Sequence, residues 1–414
     1  MISHLSRNTL ILLISNVGSA ALSFLLTIII GRALGEQGLG IYATALAWVL
    51  PLSLVAEGGI GTLITRDVAQ DPKAGEAYLR ATTTARLWIG GALVVLLVII
   101  APLLSDDLTV VQGLQLSAPL IIILPFFGVF TALFRARQAM WPIPWLNIGM
   151  LAAQIVLTGL VLVNGGDVIA ALVVNVVSSA GQLAAAWLIY RWRFSIGVGT
   201  QRAVSLQTSV LLRRALPFAI AGILAAVQVR VSIILLERLA STGDAGYYAA
   251  ANRFVEAGRM IPNAYFGALL PTLASLAAYR SEMARTFART MWGLSAFGVL
   301  MGAGITLLAP PIVRLTFGAE FAPAVLVLQI LMWSLLPGLL RAGRTLYWYA
   351  LGQESFVNVV TGAALILQVA LGFWLIPHYG AAGAAAGAIV VEAFAFALLW
   401  RPVRWFSSRH VAAR

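Results

Sequence analysis

The sequence predicts an all-α membrane protein with about twelve transmembrane helices, arranged as two six-helix halves with pseudo-twofold symmetry around a central cavity. Three observations predict this fold: composition, apolar segments of spanning length, and an internal repeat. Of the 414 residues, 61% are hydrophobic and 10% are charged, far from the balance of a soluble domain. A helix needs roughly 20 apolar residues to cross the hydrocarbon core, and such segments recur along the whole chain.

The predicted spans follow one another through connections that are too short to fold as soluble domains. The longest connection, 191–214, separates an N-terminal half, residues 1–200, from a C-terminal half, residues 201–414. An outer-membrane barrel is excluded because the segments lack the alternation of its strands. The spans are predicted at residues 9–30, 41–64, 84–104, 114–134, 145–163, 168–190, 215–236, 246–270, 290–313, 323–346, 356–376 and 380–400.

The net charge of +12 indicates topology rather than nucleic-acid binding. Most basic residues fall in alternate connections, beginning with the N-terminus, and we place Arg86 and Arg341 among them. The opposite connections contain only Arg32, Arg238 and Arg314. The positive-inside rule therefore predicts that both termini are cytoplasmic. The basic residues are expected to contact anionic membrane lipids, and no nucleic-acid partner is expected.

Several kinds of chemistry are not expected. The chain has no cysteine, and its histidines, His4, His378 and His410, fall at loops or termini, so no metal site is predicted. Phosphate-binding, nucleophile-elbow and zinc-protease motifs are absent. We predict a non-enzyme without a cofactor. No cleavage site follows the first apolar segment, which is expected to remain as a span.

The internal repeat supports two equivalent halves. An arginine followed eight residues later by Gly-x-Tyr occurs at Arg32 and again at Arg238, each time between the first two spans of a half. Small residues at helix starts can also recur by chance. Two halves of equal polarity are typical of transporters that bind a substrate between the halves and rock them to alternate access.

The eighth span contains a polar stripe. Asn252, Glu256, Arg259 and Asn263 lie within about 60° on a helix, and Arg253 flanks them. A charged residue at bilayer depth costs roughly 2.5–3.5 kcal/mol, so this stripe must face a protein interior or an aqueous cavity. It could be a self-contained Arg–Glu–Arg network. Two arginines sharing one glutamate favour a cavity for an anion.

Further charged residues lie in other spans. Arg230, in the seventh span, shares a face with Glu237, so either an intrahelical relay or packing against Glu256 is expected. Glu57 and Glu392 are lone intramembrane acids that are either protonated and structural or titrate during transport. The candidate gating or coupling residues are Glu57, Glu392, Arg32 and Arg66.

The chain resembles, over essentially its whole length, the polysaccharide and O-antigen flippase branch of the multidrug/oligosaccharidyl-lipid/polysaccharide exporter superfamily. The matching positions are Arg32, Leu34, Gly35, Gly40 and Tyr42; Arg66; Gly246, Tyr248, Ala251 and Pro271; Phe317, Gly318, Glu320, Phe321 and Ala324; and the segment Tyr379-Gly380-Ala381-Ala382-Gly383-Ala384-Ala385. One departure is Ser232, where relatives often have aspartate. Lipid II flippases usually have more spans, and cation-coupled multidrug antiporters often have an acid in the first span.

The resemblance implies a bacterial inner-membrane flippase for undecaprenyl-pyrophosphate-linked oligosaccharide in surface polysaccharide assembly. Arg230, Arg253 and Arg259 would hold the pyrophosphate, Glu256 would orient these arginines, and Asn252 and Asn263 would meet the sugars. A polysaccharide polymerase and chain-length machinery are candidate partners. The alternatives are a multidrug or small-molecule antiporter, a lipid II-type flippase and a non-transporting scaffold.

Overall fold

The computed structural model describes residues 2–70, 74–194, 208–276 and 279–400, and this part of the chain contains helices and no β-strand. The N-terminal half comprises α1 (Ile2–Glu57), α2 (Ile60–Gln70), α3 (Ala74–Leu104), α4 (Leu108–Ser117), α5 (Leu120–Ala136), α6 (Pro142–Val163) and α7 (Val168–Phe194). The C-terminal half comprises α8 (Thr208–Leu239), α9 (Thr242–Gly258), α10 (Met260–Ser275), α11 (Arg280–Thr316), α12 (Ala322–Trp333), α13 (Leu335–Ala350) and α14 (Glu354–Leu399). The predicted boundary at residue 200 lies outside the described residues.

Two of these helices each contain two spans. The backbone leaves helical geometry at Gly35 in α1 (φ 66°, ψ −171°) and at Gly380 in α14 (φ 52°, ψ −135°). Thr27 and Leu46 line the same cavity, although a straight helix would hold them roughly 28 Å apart. The chain therefore folds back at Gly35. Glycine suits both bends because positive φ is disfavoured for other residues.

Three other spans are broken in the middle. The pairs α4–α5, α9–α10 and α12–α13 each form one span, and α1 continues into α2 across Gly58 and Gly59, whose φ angles are 62° and 67°. Counted in this way, the described helices form twelve spans, and the predicted all-α membrane fold is confirmed.

Eight helical stretches of the described residues are long and apolar enough to cross a membrane. Neither α8 nor the α9–α10 pair is among them. These two spans contain Arg230, Arg253 and Arg259, which interrupt their apolar sequences. They are also the spans that approach α1 at the seam between the halves. A charged residue in a membrane helix is tolerated where it faces the protein rather than lipid.

At the end of the bundle opposite the chain termini, the halves meet backbone to backbone. A methyl group on Gly40 would overlap the carbonyl oxygen of Thr242, and one on Gly246 would overlap the carbonyl oxygen of Glu36. Gly40 and Gly246 are equivalent in the internal repeat, as are Glu36 and Thr242. We call this contact the glycine crossing. Small residues permit such close packing between membrane helices.

The repeat arginines lie beside the glycine crossing and reach across the seam. Arg32 donates from Nε to the carbonyl oxygen of Thr316 (2.6 Å) and from Nη2 to that of Leu315. Arg238 forms an ion pair with Asp106. Each arginine therefore links its own half to the end of the third span of the other half. We call these two contacts the arginine clasp.

Candidate functional site

The first cavity lies at the seam between the halves and has a volume of about 390 Å³. Spans from both halves form its wall, with α1 on one side and α8 and α9 on the other. Its charged residues all come from the C-terminal half: Arg230, Arg253 and Glu256. Two of the arginines singled out in the sequence, Arg230 of α8 and Arg253 of α9, therefore line this cavity.

One glutamate organises the polar wall of this cavity. Glu256 Oε2 accepts a hydrogen bond from Arg253 Nη1 at 2.7 Å, and its Oε1 accepts from Asn252 Nδ2 at 3.0 Å. Arg230 lines the same cavity and interacts electrostatically with Glu256, without a hydrogen bond or ion pair to any described residue. Two guanidinium groups thus share one carboxylate, and one positive charge is left without a partner.

The opposite wall is held rigidly by the N-terminal half. The Tyr42 hydroxyl accepts hydrogen bonds from Gln154 Nε2 (3.0 Å) and Asn175 Nδ2 (2.8 Å). All three side chains are buried. In the sequence, Tyr42 stands out only through the internal repeat and the family resemblance. Its amide partners lie on other spans, and no local pattern marks them.

A second cavity of about 580 Å³ lies within the C-terminal half, between α8, α9 and α12–α14. Its charged residues are Arg259, Arg341 and Glu392. Arg341 contacts both carboxylate oxygens of Glu392, with Nη2 3.3 Å from Oε1. Arg259 Nη2 lies 3.6 Å from the same Oε1. Here too, two arginines share one glutamate.

The prediction for Arg341 was wrong. Its sequence position next to the basic end of a span placed it in a cytoplasmic connection, whereas it lies inside α13 and lines the second cavity. Glu392, 51 residues later in the chain, offsets its charge. Single-span hydropathy contains no information about such a partner on another helix.

Amides and hydroxyl groups complete the second cavity. Gln368 Nε2 donates to the carbonyl oxygen of Gln228 (3.1 Å) and to Ser232 Oγ (3.0 Å). The Tyr248 side chain also lines this cavity. Ser232 therefore holds a glutamine at the cavity wall. Asn252 lines both cavities and marks the place where they adjoin.

Asn263 lies outside both cavities. The helix wheel placed it on the stripe with Asn252 by assuming one unbroken helix, but α9 ends at Gly258 and α10 begins at Met260. Its side chain is exposed. Pro262 gives the physical reason, because its nitrogen cannot donate the hydrogen bond that would continue the helix. Arg259 lies at this break.

Arg32, Glu237 and Glu57 do not line either cavity. Arg32 lies in the arginine clasp, and the Arg66 side chain is outside the described residues. Glu237 accepts a hydrogen bond from Ser105 Oγ at 2.5 Å rather than facing Arg230. Glu57 lies in the N-terminal half, within electrostatic range of Arg86 and Arg135 but outside both cavities.

Arg86 is a second correction to the predicted connections. Its side chain is 1% exposed inside α3, and Nε and Nη2 have no hydrogen-bond partner among the described residues. Its Nη1 is 3.5 Å from Thr82 Oγ1. Arg86 therefore lies inside α3 rather than in a connection, and the span predicted at 84–104 already contained it.

Comparisons with solved structures show the same fold. The lipid II flippase MurJ in an inward closed conformation is 15% identical, with a TM-score of 0.79 over 93% of this chain and 86% of that chain. An inward-facing multidrug resistance MATE family transporter of the MOP superfamily is 13% identical, with a TM-score of 0.76 over 92% of both chains. A MOP superfamily transporter from Pyrococcus furiosus, described as having a binding pocket of reverse polarity, is 13% identical, with a TM-score of 0.69 over 96% of this chain and 93% of that chain.

The sequence comparison identifies the family. No curated protein matches the chain significantly. The profile described as polysaccharide biosynthesis protein matches residues 5–277, which is more than half of the chain. The chain therefore belongs to the polysaccharide biosynthesis protein family and is a multi-pass membrane protein that shares its fold with the MurJ and MATE structures.

Proposed function

We propose that this protein flips undecaprenyl-pyrophosphate-linked oligosaccharide across the bacterial cytoplasmic membrane by alternating access, for surface polysaccharide assembly. The observation that supports this substrate is the unbalanced positive charge of the first cavity, where Arg230 and Arg253 share Glu256. A membrane protein pays to bury such a charge, so the cavity is suited to an anion. The family match supports a polysaccharide precursor as the anion's carrier.

In this proposal Arg230 and Arg253 bind the pyrophosphate. A guanidinium group can make two parallel hydrogen bonds to phosphate oxygens, which fixes both position and orientation. Glu256 holds Arg253 in place before the substrate arrives. Asn252, between the cavities, is positioned to meet the adjoining sugar. The lipid tail stays in the bilayer.

The membrane potential favours the proposed direction of transport. Each negative charge moved outward gains up to roughly 2.3 kcal/mol per 100 mV of inside-negative potential. The emptied, positively charged cavity is then drawn back inward. Export therefore needs no obligatory coupling ion, and dissipating the potential at a constant pH gradient slows it. Both termini are cytoplasmic in this orientation. Reporter fusions at Asp106, Asn164 and His378 are therefore expected to be located on the outer side of the membrane.

The charge of the cavities argues against export of cationic drugs, although the fold is shared with multidrug transporters. The lining arginines outnumber the lining glutamates in both cavities. A cation would meet repulsion there. A polysaccharide polymerase and chain-length machinery are the proposed protein partners.

Transport by purified protein in proteoliposomes tests the proposal. Arg230→Ala and Arg253→Ala are each expected to abolish movement of a polyprenyl-diphosphate-linked oligosaccharide and to leave the protein folded, because they remove ligand contacts rather than packing. Arg314→Ala, at an exposed position at the end of α11, is the matched control and keeps normal transport. Normal transport by both cavity variants would refute the proposal.

A further inference from the structure

We propose that the second cavity receives the first sugars of the headgroup and selects a sugar that carries a negative charge. This inference rests on the proposed function, because it assumes that the pyrophosphate occupies the first cavity. It names the substrate class more narrowly: a lipid diphosphate whose proximal sugars include an anionic one. The residues that carry it are Arg259, Arg341 and Glu392.

The first support is the charge of the second cavity. Glu392 is the one acid among its described lining residues, and both Arg259 and Arg341 contact it. The Glu392 side chain is 13% exposed, whereas those of Arg341 and Arg259 are 24% and 35% exposed. The shared carboxylate is therefore the most buried member, and the guanidinium groups offer their free edges to the cavity. One positive charge remains for an incoming anion.

The second support is the chemistry of the remaining wall. The cavity is also lined by Gln228, Gln368, Tyr248 and Ser334, whose side chains carry amide or hydroxyl groups. Such groups both donate and accept hydrogen bonds, as sugar hydroxyls do. A wall made only for phosphate would not need these acceptor groups.

The third support is the position of the second cavity relative to the first. Asn252 lines both, and Arg259 follows Arg253 on the same span. The sugar that is bonded to a pyrophosphate in the first cavity therefore projects toward Asn252 and the second cavity. The arginines of the second cavity then meet the sugars, because the diphosphate is already held by Arg230 and Arg253.

Two matched lipids test this inference with the full-length protein in proteoliposomes. Both are polyprenyl diphosphates bearing a disaccharide, one with glucuronate and the other with glucose at the same position. Wild-type protein is expected to move the glucuronate lipid at least tenfold faster at subsaturating concentration. In Arg341→Gln, Arg259 and Glu392 remain as a neutral pair, and the ratio of the two rates falls toward one. Arg253→Gln lowers both rates and leaves their ratio near the wild-type value.

Each outcome has a distinct meaning. Equal rates for the two lipids in wild-type protein would overturn the inference and leave the proposed function intact. A preserved glucuronate preference in Arg341→Gln would also overturn it, because the preference would then arise elsewhere. If wild-type protein moves neither lipid, the proposed function fails and the inference fails with it. A variant that does not fold leaves the wild-type comparison as the deciding measurement.

Discussion

The two halves meet in two ways along one seam. At the glycine crossing, Gly40 and Gly246 let backbones touch, so that not even a methyl group fits. Deeper in the bundle, the same spans diverge around the first cavity, where Arg230 and Glu256 face α1. The glycine crossing has no room for side chains, whereas the first cavity is lined by charged side chains.

This difference indicates that the glycine crossing controls closure of the two halves, whereas the first cavity binds the substrate. Close packing between membrane helices depends on van der Waals contact and tolerates no added volume, whereas a charged cavity is costly when empty and is relieved by a ligand. Changes at the glycine crossing should therefore alter which end of the protein is open. Changes in the cavity should alter what is bound, with little effect on the fold.

The largest expected effect comes from Gly246→Val. The valine side chain would overlap the carbonyl oxygen of Glu36, so the halves cannot close at this end. We expect transport to fall by more than about tenfold, equivalent to over about 1.4 kcal/mol at 25 °C. The chain has no cysteine, so a cysteine introduced at Ala43 in the first cavity can report access to a membrane-impermeant thiol reagent.

Two further glycine variants serve as comparisons in the transport and thiol-labelling measurements. Gly40→Val is expected to behave like Gly246→Val, because the two glycines are equivalent in the repeat. Gly304→Val in α11 adds the same volume where no other atom lies within 4 Å, and should transport and label normally. If the cysteine of Ala43→Cys reacts with the thiol reagent at the same rate with and without Gly246→Val, the glycine crossing is not a gate.

The second expected effect concerns binding. Glu256→Gln leaves Arg253 and Arg230 without their shared counter-charge, which destabilises the empty protein more than the pyrophosphate-bound protein. Substrate affinity should therefore rise and turnover should fall. Equilibrium binding and transport assays of the lipid-linked oligosaccharide measure the two changes.

The outcome is compared with Glu320→Gln, an exposed glutamate that lines neither cavity and should change neither quantity. Weaker binding by Glu256→Gln would mean that this glutamate contacts the sugars directly. Its role as a counter-charge would then be wrong.

The transmembrane spans and the internal repeat could be predicted from the sequence, because both are local patterns along the chain. Hydropathy predicted twelve helices because each apolar segment is long enough on its own. The repeated arginine and glycine predicted equivalent halves, and Gly40 and Gly246 contact each other in the structure. A cavity was predicted from Arg230 and Arg253, because charged side chains at bilayer depth are costly in contact with lipid.

The missed features depend on contacts between distant spans. Arg341 belongs to the second cavity through Glu392, and Tyr42 is held through Gln154 and Asn175. None of these pairs leaves a periodic signal in one helix. Asn263 is different, because Pro262 marked a break in its helix that the wheel ignored. The proline could have corrected that prediction.

A third prediction uses Arg86, an arginine that lines neither cavity. Burial without hydrogen bonds for two of its nitrogen atoms makes Arg86 costly, and Glu57 is its electrostatic counterpart. A double-mutant cycle of Arg86→Met and Glu57→Gln should give a coupling energy of about 0.5–3 kcal/mol in the free energy of unfolding. The single Arg86→Met variant should be less stable than the double variant.

Thermal or denaturant unfolding in detergent measures this cycle. Arg253→Ala is the comparison, because a cavity arginine should change transport much more than stability. Additive effects of Arg86→Met and Glu57→Gln would show that the two groups do not interact. A loss of stability in Arg253→Ala as large as that in Arg86→Met would remove the distinction between structural and ligand-binding arginines.

The smallest expected effect separates the two arms of the arginine clasp. Arg238 and Asp106 have side chains that are 47% and 89% exposed, and an exposed ion pair contributes about 0–1 kcal/mol. Arg32 instead donates to two carbonyl groups at the end of α11, where unpaired helix carbonyls need donors. Charged hydrogen bonds of this kind contribute roughly 1.5–3 kcal/mol.

Arg32→Ala should therefore lower the unfolding free energy, and the closed fraction measured by thiol access, more than Arg238→Ala does. Raising the salt concentration should reduce the effect of Arg238→Ala more than that of Arg32→Ala, because salt screens an ion pair more strongly than hydrogen bonds to uncharged carbonyl groups. Equal, salt-sensitive effects would mean that the two arms work as a pair of surface charges and that capping of α11 contributes nothing to closure.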